Sequence, residues 1–482
     1  MATCAVLGGG ISGLATAYYL NKFGGNLVKK IILIEGTNRF GGWMRSVKYE
    51  KDLLFEQGPR SIRGVGRAGF NTLEMVEDLE LDDEVLPIPR SHVAAKNRFI
   101  YVNKQLCKLP SSLKAVLTTQ PPFSKPLCLY GLMEPFRKKG ELDDETVDSF
   151  FSRRFGPEVA KYAANSMCRG IFAGDSLKLS MRSCFPLFHE FESKYGSIVK
   201  AALMRPRTKR RENSELINKF VSENWSMWSL KNGLEDLPRK LLATLQKEDK
   251  VKVMSGSKVN TLQFDDVKVK LVTSANGEIM TVDHVFSALP SFDISLLLLP
   301  TYANISSLLN DIRFASVGVV NLVYPSDVTT PQVGFGHLIP SFEDPAVLGV
   351  LYECHTFPHH NGRDNKTRIT LMMGGAWFEE CFGSPETADK CKFEEMALKA
   401  VSEQLSIKQR PEMVVVNVQK YCIPQYKVGH HKLLEEAESL ISKNNLQLSL
   451  VGSSYRGMSI NDCIFNGKLQ VQQYLGIRRD DE

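Results

Sequence analysis

Residues 4–23 read CAVLGGGISGLATAYYLNKF: an apolar run, three consecutive glycines, then an apolar-periodic stretch. The order predicts a buried strand over Cys4 to Leu7, a tight turn, and a helix to about Phe23 that Gly24-Gly25 ends. Gly8-Gly9-Gly10-Ile11-Ser12-Gly13 fits G-x-G-x-x-G. In that pattern the first glycine permits the turn, the second lets a pyrophosphate approach the backbone, and the third lets the helix pack close on the strand. The helix N-terminus then offers free N–H groups and about half a positive charge to the phosphates. Lys30 to Ile34, KIILI, predicts a second buried strand ending at Glu35, where an acidic side chain can hold a ribose hydroxyl. Strand, turn, helix, strand and terminal acid therefore stand in the order that a dinucleotide site needs.

A second match to the same pattern, Gly64-Val65-Gly66-Arg67-Ala68-Gly69, lacks this frame. The residues before it, GPRSIR, hold a proline and two arginines and make no buried strand. Asn71 with Glu74 reads as a helix cap and its partner three residues on. The expectation is a loop leading into an ordinary surface helix, hence one dinucleotide site and no separate fold for a nicotinamide.

The 482 residues suffice for two or three domains. A hydrophobic fraction of 43%, a charged fraction of 24% and a net charge of +6 are ordinary for a globular protein and fall short of a nucleic-acid binder's footprint. Ten cysteines are scattered with no C-x-x-C pair, which argues against metal knuckles and redox pairs. They read as small apolar residues in a reducing compartment. No secretory signal or Arg-rich presequence is evident, and the longest apolar runs, such as Ile294 to Leu299, fall far short of a spanning helix. His355, His359 and His360 form H-x-x-x-H-H within a polar stretch, FPHHNGRDN. They read as a polar loop, and no metal is expected. Arg205 to Arg211, RPRTKRR, reads as a solvated loop.

Glycines alone cannot separate FAD from NAD. Arg39-Phe40-Gly41-Gly42-Trp43-Met44-Arg45-Ser46 resembles the R-x-G-G continuation of FAD-dependent oxidases of the amine-oxidase type. In that group the paired glycines pass near the cofactor and the arginine sits near the phosphates. Val251 to Val259, a hairpin from Val267 to Val282, and the run to Pro290 read as strand, hairpin and returning strand. Leu448 to Gly452 reads as a late strand whose following helix, to about Leu475, presents another N-terminus to the cofactor.

From end to end the chain resembles the protoporphyrinogen oxidase family in its animal form. The resemblance rests on GGGISGL, RFGGWMRS, EQGPRSIR, AAKNRFIYV, PPFSKPL, DETVDSFFSRRFGPEVA, SMCRGIFAGD, RSCFP, WSLKNGLEDLP, GFGHLIP, CIPQY and YRGMSINDCI. It implies oxidation of protoporphyrinogen IX to protoporphyrin IX, with hydride transfer to one non-covalent FAD and reoxidation by oxygen to peroxide. The alternatives are a related flavin oxidase acting on coproporphyrinogen or an amine, and a flavin-binding scaffold without its own substrate. The chemistry demands no strong general base, and none is identified.

The resemblance places Arg98 against a substrate propionate and Gly170, Ala173, Phe335, Gly336, Leu338 and Met372 around the macrocycle. Read from the residues alone, Arg98 is a surface arginine flanked by Phe99 and Tyr101, and Leu338 and Met372 are simply core. For the cofactor the carried-over positions are Gly8, Gly9, Gly10, Ile11, Ser12, Gly13, Glu35, Gly36, Arg39, Gly42, Trp43, Gly58, Pro59, Arg60, Ser61, Val259, Ser453, Met458, Ser459 and Ile460, with backbone contacts at Ser61 and Met458. Cys463 is the one C-terminal candidate for a covalent flavin link, and its surroundings do not resemble such a motif.

The expected fold is α/β and α+β. A discontinuous Rossmann-like FAD-binding domain takes 1–88, 249–300 and 440–482; a mixed-sheet substrate-binding domain takes 89–97, 207–248 and 301–439; a helical membrane-binding domain takes 98–206. Apolar patches and Arg137 to Lys139 in the helical segment suit one leaflet and its headgroups. The family implies the mitochondrial inner membrane, on its intermembrane-space side, and names ferrochelatase and a second copy of the chain as candidate partners. No nucleic acid is expected.

Overall fold

Strand Ala2–Leu7 lies in the middle of a five-stranded parallel sheet. Its neighbours are Val28–Ile34, followed outward by Val251–Met254, and His284–Ser287, followed outward by Leu448–Leu450. Layers on both faces explain why the inner strands are continuous apolar runs rather than alternating ones. On one face sit helix Ile11–Gly24 and the final helix, Ile460–Tyr474. On the other, an antiparallel three-stranded sheet from 259 to 282 and helix Ser291–Leu297 cover the same strands. The protein is represented by a computed structural model that describes residues 1–64, 66–204, 214–265, 267–273 and 277–477. The basic run 205–211 lies outside the described residues.

The expected strand Val251 to Val259 is divided. Val251–Met254 joins the parallel sheet, and Val259–Phe264 opens the antiparallel one. The turn between them, Ser255 to Lys258, folds back so that the Ser257 amide donates to the Glu35 carbonyl at 2.9 Å. The second glycine pattern does enter a helix, Gly66–Asp78, with no strand before it. Asn71 is not its cap, however. It is buried inside the helix and donates through Nδ2 to the Tyr19 hydroxyl at 2.8 Å. A polar residue satisfied by a tertiary partner looks in sequence like one satisfied by its own helix.

A seven-stranded mixed sheet forms the second layer system, in the order Met413–Pro424, Phe314–Tyr324, Thr367–Gly375, Val347–Leu351, Gly336–Leu338, Arg98–Val102 and Gln105–Lys108. Helix Lys390–Leu405 packs on it over Phe378, Phe382 and Phe393. The last two strands mean that the sheet's edge is built from residues 98–108, inside the span expected to be helical. Beyond them the chain is helical to Met204 around a core of Phe150, Phe151, Phe172 and Cys168. That core also encloses ion pairs. Arg154 and Glu134, both fully buried, are bonded to each other, and Arg153 Nη1 meets Glu192 Oε1 at 2.7 Å. All ten cysteines are free.

Candidate active site

The opening turn builds a cradle. Gly10 caps helix Ile11–Gly24 without a side-chain hydrogen bond, so the first-turn amides are left for a ligand. The 39–44 loop closes over this turn: Gly10 bridges Gly41, and a Cβ on Gly42 would stand 3.0 Å from the Gly10 Cα. Any side chain at either position would fill the groove between them. Glu35, at the end of the second strand, accepts from the Gly9 amide at 2.7 Å through Oε2, and from the Thr37 amide and hydroxyl at 2.8 Å through Oε1. Gly36 backs onto Lys258, next to buried Val259.

The third segment reaches the same place. Gly452 lies against Ser12, whose Oγ would be 3.4 Å from a Cβ there. The Ser453 carbonyl accepts from the Tyr426 hydroxyl. Ser459 caps the final helix by accepting from the Asp462 amide at 3.2 Å, while Met458 packs on the phenylalanine-rich helical core and Ile460 on the core of the first helix. The groove bounded by Gly8 to Gly13, Glu35, Gly42 and Gly452 fits an extended dinucleotide.

Two arginines carried over from the family are held by the protein itself. Arg39 donates to the Gly42 carbonyl and, at 3.2 Å each, to those of Phe40 and Met44, and its Nη1 lies 3.5 Å from Glu235 Oε1. These bonds shape the glycine loop. Arg60 is buried with its Nε 3.2 Å from Glu353 Oε1, so within the segment Gly58, Pro59, Arg60 and Ser61 its side chain is tied to the helix Glu353–Thr356 that follows strand Val347–Leu351. Gly58 must be glycine for a steric reason: a Cβ would lie 2.0 Å from the Trp43 carbonyl. Trp43 itself stays 42% exposed.

Of the proposed substrate residues, Arg98, Gly336, Leu338 and Met372 lie on strands of the seven-stranded sheet, and Gly170 and Ala173 on the helix packed against it. Arg98 pairs with Gly336, and Leu338 with Ile100. The Arg98 Cζ sits 5.8 Å from the Phe335 ring centroid. Gly170 touches Leu338, whose Cδ2 would be 2.5 Å from a Cβ at that glycine. Ala173 ends helix Asn165–Phe172 in the left-handed region at φ 47°, and packs with Val317, Val319, Leu348 and Met372. Arg98 is thus no free surface arginine: its Nε is buried without a partner, and burial together with a nearby Arg63 pushes its pKa down.

Sequence reasoning missed the fastenings of this site. Arg169 donates to the carbonyls of Asp344, Pro345 and Val347 at 2.7, 3.1 and 2.9 Å, pinning the Gly170 helix to the sheet. Burial pushes its pKa down to about 10. Beneath Arg60 lies Glu353, and fully buried Arg368 bonds the Leu54 carbonyl at 2.8 Å. Glu56, accepting from Leu234 N at 2.7 Å and Ser46 Oγ at 2.8 Å, is raised by burial to about 7. No local pattern announces these charges, since each is satisfied by a distant element. The polar histidine stretch is partly buried, with His359 exposed. His360 is buried on the Leu230 carbonyl at 2.9 Å, and His355 bonds Thr330 Oγ1 at 2.8 Å.

A parallel sheet with a glycine cradle at its strand ends, completed by three separated segments, has the frame of a flavin-dependent oxidoreductase. The model for flavin containing amine oxidoreductases matches residues 11–475. The protoporphyrinogen oxidases of Homo sapiens and Macaca fascicularis are each 42% identical over 474 residues, covering 98% of this chain and 98% of theirs. The crystal structure of a putative protoporphyrinogen oxidase from Exiguobacterium sp. 255-15 matches the fold with a TM-score of 0.78, at 18% identity, over 99% of both chains. The chain belongs to the protoporphyrinogen oxidases, within the flavin containing amine oxidoreductase family. Its cofactor is FAD.

Proposed function

We infer that the protein oxidises protoporphyrinogen IX to protoporphyrin IX in haem biosynthesis. The observation that carries this reading is near-full-length identity of 42% to protoporphyrinogen oxidases, in a chain whose half-buried Arg98 has an Nε without a hydrogen-bond partner. The cradle of Gly8 to Gly13, Glu35 and Gly42 would hold FAD, which would supply hydride acceptance from the macrocycle's bridging carbons and reoxidation by oxygen to hydrogen peroxide, three times per porphyrin.

The protein's own residues position and enclose. Arg98 takes a propionate, and the ring of Phe335 beneath it keeps the guanidinium flat. Gly170, Leu338, Ala173, Gly336 and Met372 present small or apolar surface to the pyrroles and exclude water. The 58–61 loop is held against the substrate sheet by Arg60 and Glu353, which sets the distance between cofactor and macrocycle. The division proposed is a flavin-binding domain, a mixed-sheet substrate-binding domain and a helical domain that begins after the strands Arg98–Val102 and Gln105–Lys108.

The direct test is porphyrin fluorescence after adding protoporphyrinogen IX to the FAD-loaded protein in air. Fluorescence and peroxide should rise together. Faster turnover of coproporphyrinogen, or none of either, would overturn the reading. Arg98→Ala should raise KM about tenfold or more, the range of a lost charge-assisted hydrogen bond, with kcat little changed. An unchanged KM would remove Arg98 from the substrate site.

The protein also works at a membrane surface, that of the mitochondrial inner membrane on its intermembrane-space side. Among the described residues no helix is long and apolar enough to cross a membrane. Neighbouring short helices instead expose Leu113, Leu132, Met133, Phe136, Leu203 and Met204, with Phe136 83% exposed and followed by Arg137, Lys138 and Lys139. In sedimentation with vesicles containing anionic lipid, Phe136→Asp should lower the bound fraction several-fold, because a desolvated carboxylate replaces buried apolar area. Equal binding of both proteins would exclude this face.

A further inference from the structure

Arg63 has a pinned backbone and a free head. Its carbonyl accepts from Asn461 Nδ2 at 2.6 Å, at the start of the final helix. On one side Ile62 bridges Trp228; on the other Gly64 lies under the Phe220 ring. Yet the guanidinium has no hydrogen bond or ion pair among the described residues. A cation on so fixed a stem would normally be given a carboxylate.

The same stretch leads to Arg98. Trp228, which bridges Ile62, adjoins Met227, and Met227 packs with Ile88 and Phe335. The ring of Phe335 carries the Arg98 guanidinium. The two arginines therefore lie at the ends of one short run of contacts, between the final helix's N-terminus and the strands Gly336–Leu338 and Arg98–Val102. Arg63 keeps exposed surface, yet desolvation pushes its pKa down, and its charge pushes that of Arg98 down further. Two like charges this close without a counter-ion repel each other, and an anion with two carboxylates relieves both.

We propose that Arg63 is the second anchor of the macrocycle: Arg98 takes one propionate and Arg63 the other, so the pair reads a dicarboxylate. The proposal rests on the function inferred above. Protoporphyrinogen IX carries its two propionates on neighbouring pyrroles, and two fixed cations fix the rotation of the macrocycle where one would leave it free to pivot. Arg63 then determines which bridging carbon is presented to the flavin.

The test compares Arg63→Gln and Arg63→Lys with the unaltered protein, all saturated with FAD. KM and kcat are measured for protoporphyrinogen IX and for its dimethyl ester. Binding of mesoporphyrin IX and its dimethyl ester is measured separately by fluorescence quenching, which needs no turnover. R63Q should raise KM for the diacid about tenfold, with kcat within about twofold, and R63K should recover part of the loss. Mesoporphyrin affinity should fall alike, whereas both esters should not distinguish the variants. An unchanged KM and mesoporphyrin affinity would overturn the proposal. So would a loss confined to FAD affinity, which would assign the guanidinium to the cofactor's phosphates. Should the unaltered protein bind mesoporphyrin through Arg63 and yet oxidise no porphyrinogen, the anchor would stand and the inferred reaction would fall.

Discussion

Gly13→Ala should yield protein without flavin and with little folded material. A Cβ at residue 13 would lie 1.9 Å from the Gly8 carbonyl oxygen and 3.0 Å from its carbon. Both are backbone atoms of the turn, which is itself fixed by the Gly8 amide donating to the Ile34 carbonyl at 2.8 Å. Nothing flexible can yield, so the first helix must shift off the sheet, and the cradle opens with it. The cost exceeds the roughly 1–3 kcal/mol of ordinary overpacking. Flavin absorbance per chain and thermal unfolding measure the effect. Gly131→Ala is the control: it lies in helix Leu127–Met133 with nothing within 4 Å of its Cβ position. There the lower flexibility of alanine should be neutral or stabilising by about 0.5–1 kcal/mol. A yellow, normally melting Gly13→Ala would refute the tight turn.

The second large effect is acid lability. Burial pushes His284, His337, His360 and His430 from 6.5 down to about 4. Each ring is a neutral hydrogen-bonding group. His337 is held between the Tyr352 hydroxyl and Gln404 Oε1, both at 2.8 Å, and His430 lies on the Tyr455 carbonyl at 2.9 Å. The unfolded chain protonates these groups near 6.5 and the folded one only near 4, so stability is complete above 6.5 and is lost as pH falls toward 4. Each contributes on the order of 3 kcal/mol over that window, and four together rival the 5–15 kcal/mol that holds a typical domain. Glu56 has the opposite sign. Raised to about 7, it favours the folded state at lower pH, but it is one group against four. Melting temperatures of the holoprotein should therefore drop steeply between pH 6.5 and 4.5. A flat profile would contradict the burial of these rings.

The strand, turn and first helix were legible because local pattern and tertiary role coincide there: a run buried on both faces must be apolar throughout, and the phosphate turn must lack side chains. The meeting of Gly452 with Ser12, across most of the chain, has no local sign. Asn71 misled because its partner, Tyr19, is remote in sequence. Arg98 could not be told from a surface residue, since nothing local to its strand shows that the guanidinium is half-buried beside the Phe335 ring. The polar ties escaped altogether. Arg169 reads as one more charge on a helix, and only the fold shows it spent on three carbonyls of another element.

The parallel sheet also has a bearing on biosynthesis. Strand Leu448–Leu450 lies beside His284–Ser287, and the final helix packs on the first so closely that a Cβ at Gly467 would meet Thr16 Oγ1 at 2.8 Å. A chain still emerging from the ribosome therefore cannot assemble the nucleotide groove until the helix Ile460–Tyr474 has been made. Products terminated before that helix should be colourless and open to proteases.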